Sequence, residues 1–143
     1  MIKRIIFLLL MIAGQVASPA IQANDATYSV SGSIQHPGKG RIYVFLVDRE
    51  GFKQPLTGLK IVVLDVTETG VSNFSFTGVP EGVYGIRCYQ DINGNRKLDG
   101  GLFGPKEPWG MSWNAQRPLR WPRFDHISFR VGVETPELNI QLK

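Results

Sequence analysis

Val83-Tyr84-Gly85-Ile86-Arg87-Cys88-Tyr89-Gln90, followed directly by Asp91-Ile92-Asn93-Gly94-Asn95-Arg96-Lys97-Leu98-Asp99, is the stretch from which the fold can be read. The first eight residues read as a β-strand. The next nine carry oxygen-bearing side chains at alternate positions 91, 93 and 95, with a carboxylate returning at 99. A strand that runs into so polar a loop must turn there. Alternate side chains on a curled backbone converge, which is how short loops wrap a hard cation.

Upstream, turn signals divide the chain into short apolar runs. Thr27–Gln35 is a candidate strand ending at His36-Pro37-Gly38. Arg41–Val47 is rich in Ile, Tyr, Val and Phe on both faces, as a central strand would be. Asp48–Gly58 is a loop, broken by Gly51, Pro55 and Gly58, with room for a short helical turn. Lys60–Val66 is a β-branched run, and Val71–Thr77 places Phe74 and Phe76 on one face. Pro80 and Gly82 supply a tight turn before Tyr84. Downstream of a long Gly/Pro/Trp/Arg-rich stretch, Gly100–Arg123, the alternation of Ile127, Phe129 and Val131 predicts a strand over Asp125–Val133. Leu138, Ile140 and Leu142 predict a last one. The mature chain shows no helical period and no internal repeat. These strands predict an all-β protein: a single antiparallel β-sandwich of about seven strands, with a long irregular loop before the last two.

Met1–Ala23 reads as a secretory signal peptide, with Lys3 and Arg4 before the apolar run Ile5–Ala13 and small residues up to Ala20 and Ala23. The run is short for a membrane span. The expected organisation is a leader over 1–23 and one domain over 24–143, periplasmic or secreted and not membrane-spanning once the leader is cleaved. After Ala23 there are 14 basic and 12 acidic residues, a net charge of +2. That is too small to imply nucleic-acid binding. The single cysteine, Cys88, excludes an internal disulfide and reads as a small buried hydrophobe.

Two readings of Asp91–Asp99 stand side by side. In one, Asp91, Asn93, Asn95 and Asp99, with a backbone carbonyl near Lys97, hold calcium. Calcium needs six to eight oxygens, so water or Glu107 would add the remainder. The loop departs from a helix-loop-helix calcium site: Arg96 stands at the sixth position, where glycine is needed, and Leu102 at the twelfth, where a bidentate acid is needed. In the other reading the stretch is an Asx-rich turn that hydrogen-bonds itself.

Three segments together carry a family resemblance: Val79-Pro80-Glu81-Gly82-Val83-Tyr84, then Tyr89 through Asp99, then Leu102-Phe103-Gly104-Pro105-Lys106-Glu107-Pro108-Trp109-Gly110. They resemble the bacterial domain of unknown function family 2141, and Gly40–Leu46 and Glu50-Gly51-Phe52 fit it as well. The resemblance covers most of the mature chain. It implies an exported sandwich of transthyretin-like (prealbumin-like) type and no assigned activity. The family pattern continues with a Ser-Asn pair; here Trp113 separates Ser112 from Asn114.

Trp109, Trp113 and Trp121, with Arg117, Arg120 and Arg123, form a candidate binding surface through stacking and cation–π contacts. The alternative is that the aromatics cover one edge of the sandwich while the arginines stay in water. No nucleophile elbow, zinc spacing, phosphate loop or dinucleotide fingerprint is present, and the two histidines, His36 and His126, read as solvated. The expectation is therefore a non-catalytic binding or scaffolding module for an envelope protein or small ligand. The alternative is a cell-envelope hydrolase using Asp99, Glu107 and His126 around the long loop.

Overall fold

The computed structural model of the protein describes residues 26–117 and 120–143. The expected leader, Met1–Ala23, lies outside them. The chain is mostly β. In order, β1 (Thr27–His36), β2 (Gly40–Val47), β3 (Lys60–Val66), β4 (Gly70–Pro80) and β5 (Gly82–Asp91) are the long strands, with a single helical turn α1 (Arg49–Phe52) between β2 and β3. Then come β6 (Gly100–Gly101), β7 (Gly104–Pro105), β8 (Trp109–Met111), a 3-10 turn (Ser112–Asn114), α2 (Phe124–Ile127), β9 (Phe129–Val131) and β10 (Leu138–Gln141).

Two main sheets result. One has the order β10-β1-β4, the other β3-β2-β5-β8, with β9 pairing the first residues of β5. Their facing side chains form one core in which Val30, Ile34, Phe74, Phe76, Leu138 and Ile140 meet Ile42, Val44, Leu46, Ile86 and Cys88. The alternation along each strand places these residues: in β4 Phe74 and Phe76 are buried, while Asn73, Ser75 and Thr77 are exposed.

Three expectations are corrected. The sheets are not wholly antiparallel, because β10 lies parallel to β1, with Gly32 opposite Leu138 and Gln35 opposite Gln141. The chain reaches β10 from β9, which belongs to the other sheet, so the connection crosses between sheets and need not reverse direction. The approach is close, since a Cβ on Gly32 would lie 2.2 Å from the Leu138 carbonyl oxygen. Second, Asp125–Val133 is not one strand. Phe129 and Val131 are buried and Arg130 exposed, as alternation predicts, but Ile127 reaches the interior from α2. The backbone N–H of His126 donates to the Arg123 carbonyl and that of Arg123 to His126 Nδ1, closing the turn. Gly85 leaves space for it, since a Cβ there would sit 2.5 Å from Ile127 Cδ1. Third, the long stretch before the last strands is not irregular: it contains β6, β7, β8 and the 3-10 turn.

Side-chain amides hold that stretch down. Asn114 donates to the Asn139 carbonyl at 3.2 Å and accepts from the Gln141 N–H at 2.7 Å, standing in for a missing strand beside β10. Gln116 accepts from Met111 N–H and donates to the Gln141 carbonyl. Ser112 Oγ accepts from Ile86 N–H and donates to the Ile127 carbonyl, joining β5 to α2. The residues on either side of Trp113 are thus both structural. Among the described residues no helix is long and apolar enough to cross a membrane.

Candidate functional site

The loop after β5 is closed by its own side chains. Asp91 is buried, and its two carboxylate oxygens accept from the N–H groups of Gly94 and Arg96 at 2.7 and 2.8 Å. Gly94 and Arg96 both have positive φ, so the backbone curls back on the carboxylate. Asn93 and Asn95 Oδ1 accept from the N–H groups of Asn95 and Lys97. The amide groups of Asn93 and Asn95 donate to the Asp99 carboxylate at 2.6–3.0 Å, and those bonds hold its pKa below the usual carboxylate range. Glu107, also buried, accepts from Ile92 N–H and Asp99 N–H and closes the mouth of the loop.

The side chains of Asn93, Asn95 and Asp99 therefore converge, but with amide N–H groups pointing at the carboxylate and the Asn oxygens committed to the backbone. A cation would have to displace those bonds. Among the described residues no group of three or more His, Cys, Asp or Glu could hold a metal ion. Of the proposed ligand residues, Lys97 contributes an N–H to the Asx network.

The outer face of the β3-β2-β5-β8 sheet has a different character. Cross-strand pairing aligns Val63, Tyr43, Tyr89 and Trp109 in one row and Ile61, Phe45, Arg87 and Met111 in the next. Tyr43 and Tyr89 stack with centroids 5.2 Å apart, and Phe45 and Tyr89 at 6.1 Å. Trp121, from the long stretch, stacks almost parallel on Trp109 at 5.1 Å. Phe45, Val47, Tyr89, Met111, Phe124 and Ile127 form a second apolar cluster here, roofed by α1 and α2. Arg49 of α1 spans the roof, paired with Asp125 of α2 and lying over the Phe124 ring.

The roof does not fill the face. It leaves a cavity of about 220 Å³ lined by Phe45, Leu56, Tyr89, Leu98, Trp109 and Trp121, among others. Arg87 also lines it. Its guanidinium is buried and donates to the carbonyls of Gly51, Phe52, Gln54 and Thr57, which holds the segment after α1 against the sheet. Its Nε–H has no partner among the described residues, and no carboxylate there neutralises the charge. Burial lowers its pKa. Burial also raises that of Tyr89, to about 12.

The structure divides the aromatic–arginine surface expected from the sequence. Trp109 and Trp121 come together at the cavity. Arg117 and Arg120 bridge each other beside Trp121, and Arg123 lies with them and His126 along a neighbouring groove. Trp113 goes elsewhere, edge-on to Phe129 with its Nε1–H on the Ser128 carbonyl. Asp99 and Glu107 are adjacent, whereas His126 lines the arginine groove. His36, which the sequence predicts to be solvated, is instead buried at the end of β1, with Nε2 3.0 Å from Ser72 Oγ on β4. Cys88 is buried and its thiol pKa is raised.

Sequence reading missed Phe45, Leu56, Arg87, Tyr89, Leu98 and Met111 as site residues. The available signal was the two-faced apolar character of Arg41–Val47, which requires a cover on its second face, and a lone charge, Arg87, inside a buried strand.

No curated protein and no solved structure matches the chain. Residues 29–139 match the family described as "Uncharacterized protein conserved in bacteria (DUF2141)". With most of its length inside that match, the chain belongs to this bacterial family.

Proposed function

We propose that this is an exported, non-catalytic binding module on a transthyretin-like β-sandwich, and that the outer-face cavity takes a small, flat, largely apolar ligand. The observation that carries this reading is the cavity itself: about 220 Å³ left open between stacked aromatic rings and their cover of helical turns and long connection. Ligand sites are concave and apolar, with a few placed polar groups. A cavity of about 150 Å³ already admits benzene, so this one has room for one or two fused rings. The buried charge of Arg87 in the cavity wall, which no carboxylate among the described residues neutralises, favours a ligand carrying a hydroxyl or carboxylate oxygen through Coulomb attraction. Export rests on the Met1–Ala23 leader pattern.

Calorimetric titration with 2-naphthol tests the reading. Saturable one-to-one binding is expected. Trp109→Ala should weaken it by about tenfold, equivalent to about 1.4 kcal/mol of lost stacking and contact. Absence of saturable heat, or an affinity indifferent to Trp109→Ala, would remove the cavity as the site.

Calcium at Asp91–Asp99 is a second proposal, supported by the convergence of Asn93, Asn95 and Asp99. If the folded loop binds calcium at about 100 times its dissociation constant, stability should rise by roughly 2.7 kcal/mol. The melting temperature of chelator-treated protein should then rise in ~10 mM calcium, well above the ~10⁻⁴–10⁻³ M affinities of extracellular modules. Asp91→Asn with Asp99→Asn should abolish the rise. An unchanged melting curve would leave the self-bonded turn as the loop's whole role.

A further inference from the structure

We propose that the protein attaches peripherally to anionic lipid surfaces through the tip of the β6–β7 hairpin. Gly101 pairs with Gly104, so Leu102 and Phe103 alone form the turn. Their exposures are 97% and 85%, and neither belongs to either apolar cluster. Tight hairpin turns favour Gly, Asn and Asp, whose backbone freedom suits them. Two adjacent large apolar side chains standing almost wholly in water therefore contribute nothing to this turn or to the core.

The surroundings fit a negatively charged apolar layer. Leu102 and Phe103 border a groove with Trp109, Trp121, Arg117 and Arg120. Residues 96–123 hold six basic side chains, Arg96, Lys97, Lys106, Arg117, Arg120 and Arg123, against two acidic ones. Both acidic groups are engaged: Asp99 by the Asn93 and Asn95 amides, Glu107 by backbone N–H groups. The remainder of residues 24–143 has eight basic and ten acidic side chains. The positive charge of the chain after Ala23 is thus concentrated in the segment that carries the apolar tip, with Arg117 and Arg120 in the groove beside it. Apolar insertion and electrostatic attraction are individually weak anchors that together give stable, reversible attachment, and tryptophan prefers the headgroup level.

Co-sedimentation with vesicles tests this, using protein purified as the producing cell processes it, with the N-terminus verified by mass. Binding to vesicles rich in phosphatidylglycerol should exceed binding to pure phosphatidylcholine by at least about tenfold, and should fall steeply at ~1 M salt, where the screening length is about 3 Å. Leu102→Ser with Phe103→Ser should reduce the binding at least fivefold without moving the melting temperature, because these side chains lie outside both clusters. Arg117→Gln with Arg120→Gln should reduce it while preserving the residual binding to neutral vesicles. Equal binding by the Ser variant, or no binding to either vesicle, would overturn the proposal. So would concentration-dependent self-association, abolished by the Ser variant and without lipid binding, which would make the tip a contact between copies of the chain.

Discussion

The two faces of the β3-β2-β5-β8 sheet are built differently, and the outer one is covered only in part, with Ile61 and Val63 of β3 51% and 46% exposed. The inner face meets the other sheet in a core of Val, Ile, Leu, Phe and Cys, with Val30, Ile34, Ile42, Val44 and Ile86 fully buried. The outer face carries Tyr43, Phe45, Tyr89, Trp109 and a buried guanidinium. Its cover is two single helical turns and a long connection, with a cavity left beneath. Close packing makes the inner face a source of stability that tolerates little change. Phe45 and Tyr89 are as buried as Phe74 and Phe76, but an open space remains between the outer rings and their cover, and on that space the proposed ligand site rests.

Core truncation should give the largest effect. Phe129→Ala should cost roughly 3–5 kcal/mol in urea denaturation, from lost transfer energy plus a cavity. Trp121→Ala, at a residue 52% exposed, should cost about 1 kcal/mol or less. Equal costs would erase the distinction between the faces. Next comes the seam between β1 and β10. Gly32→Ala drives a Cβ into the Leu138 carbonyl and should cost about 1–3 kcal/mol, the range for overpacking. A neutral result would refute the parallel pairing.

The outer face should also report through pH. Tyr89 has a folded-state pKa raised from 10.0 to about 12, first by burial and then by the neighbouring Tyr43, Asp91 and Glu107. A raised pKa means that its contribution to stability is full below about pH 10 and is lost as pH climbs through about 12. Stability measured across that window should fall less steeply in Tyr89→Phe than in the parent. The smallest expected effect is that of Arg130→Ala, on the exposed side of β9, within about 0.5 kcal/mol. A cost approaching that of Phe129→Ala would show that the phase of β9 is reversed.

These differences also explain what could be read from the sequence. The inner face was legible because alternation reports it directly: Lys60–Val66 matches β3 residue for residue, and Phe74 and Phe76 fall where their spacing puts them. The helical turn at Phe124–Ile127 was hidden by the alternation of Ile127 with Phe129, although Phe124 and Ile127, three apart, already have helical spacing. The Asp91–Asp99 turn was visible as a contiguous motif. The cavity was not, because Phe45, Leu56, Arg87, Leu98, Trp109 and Trp121 come from separate segments that meet only through cross-strand register and the stack of Trp121 on Trp109. The parallel β10 was illegible for the same reason: its direction depends on which sheet the preceding strand joined.

The central claim is that the outer face, and not the core, receives a ligand. Backbone and indole NMR shifts recorded while 2-naphthol is added test it most directly. The account predicts saturable shifts at the Trp109 and Trp121 indoles and at the backbone of Tyr89 and Met111, with Val30, Ile34 and Phe74 unmoved. Shifts centred on those three core residues, or spread evenly over both faces, would contradict it.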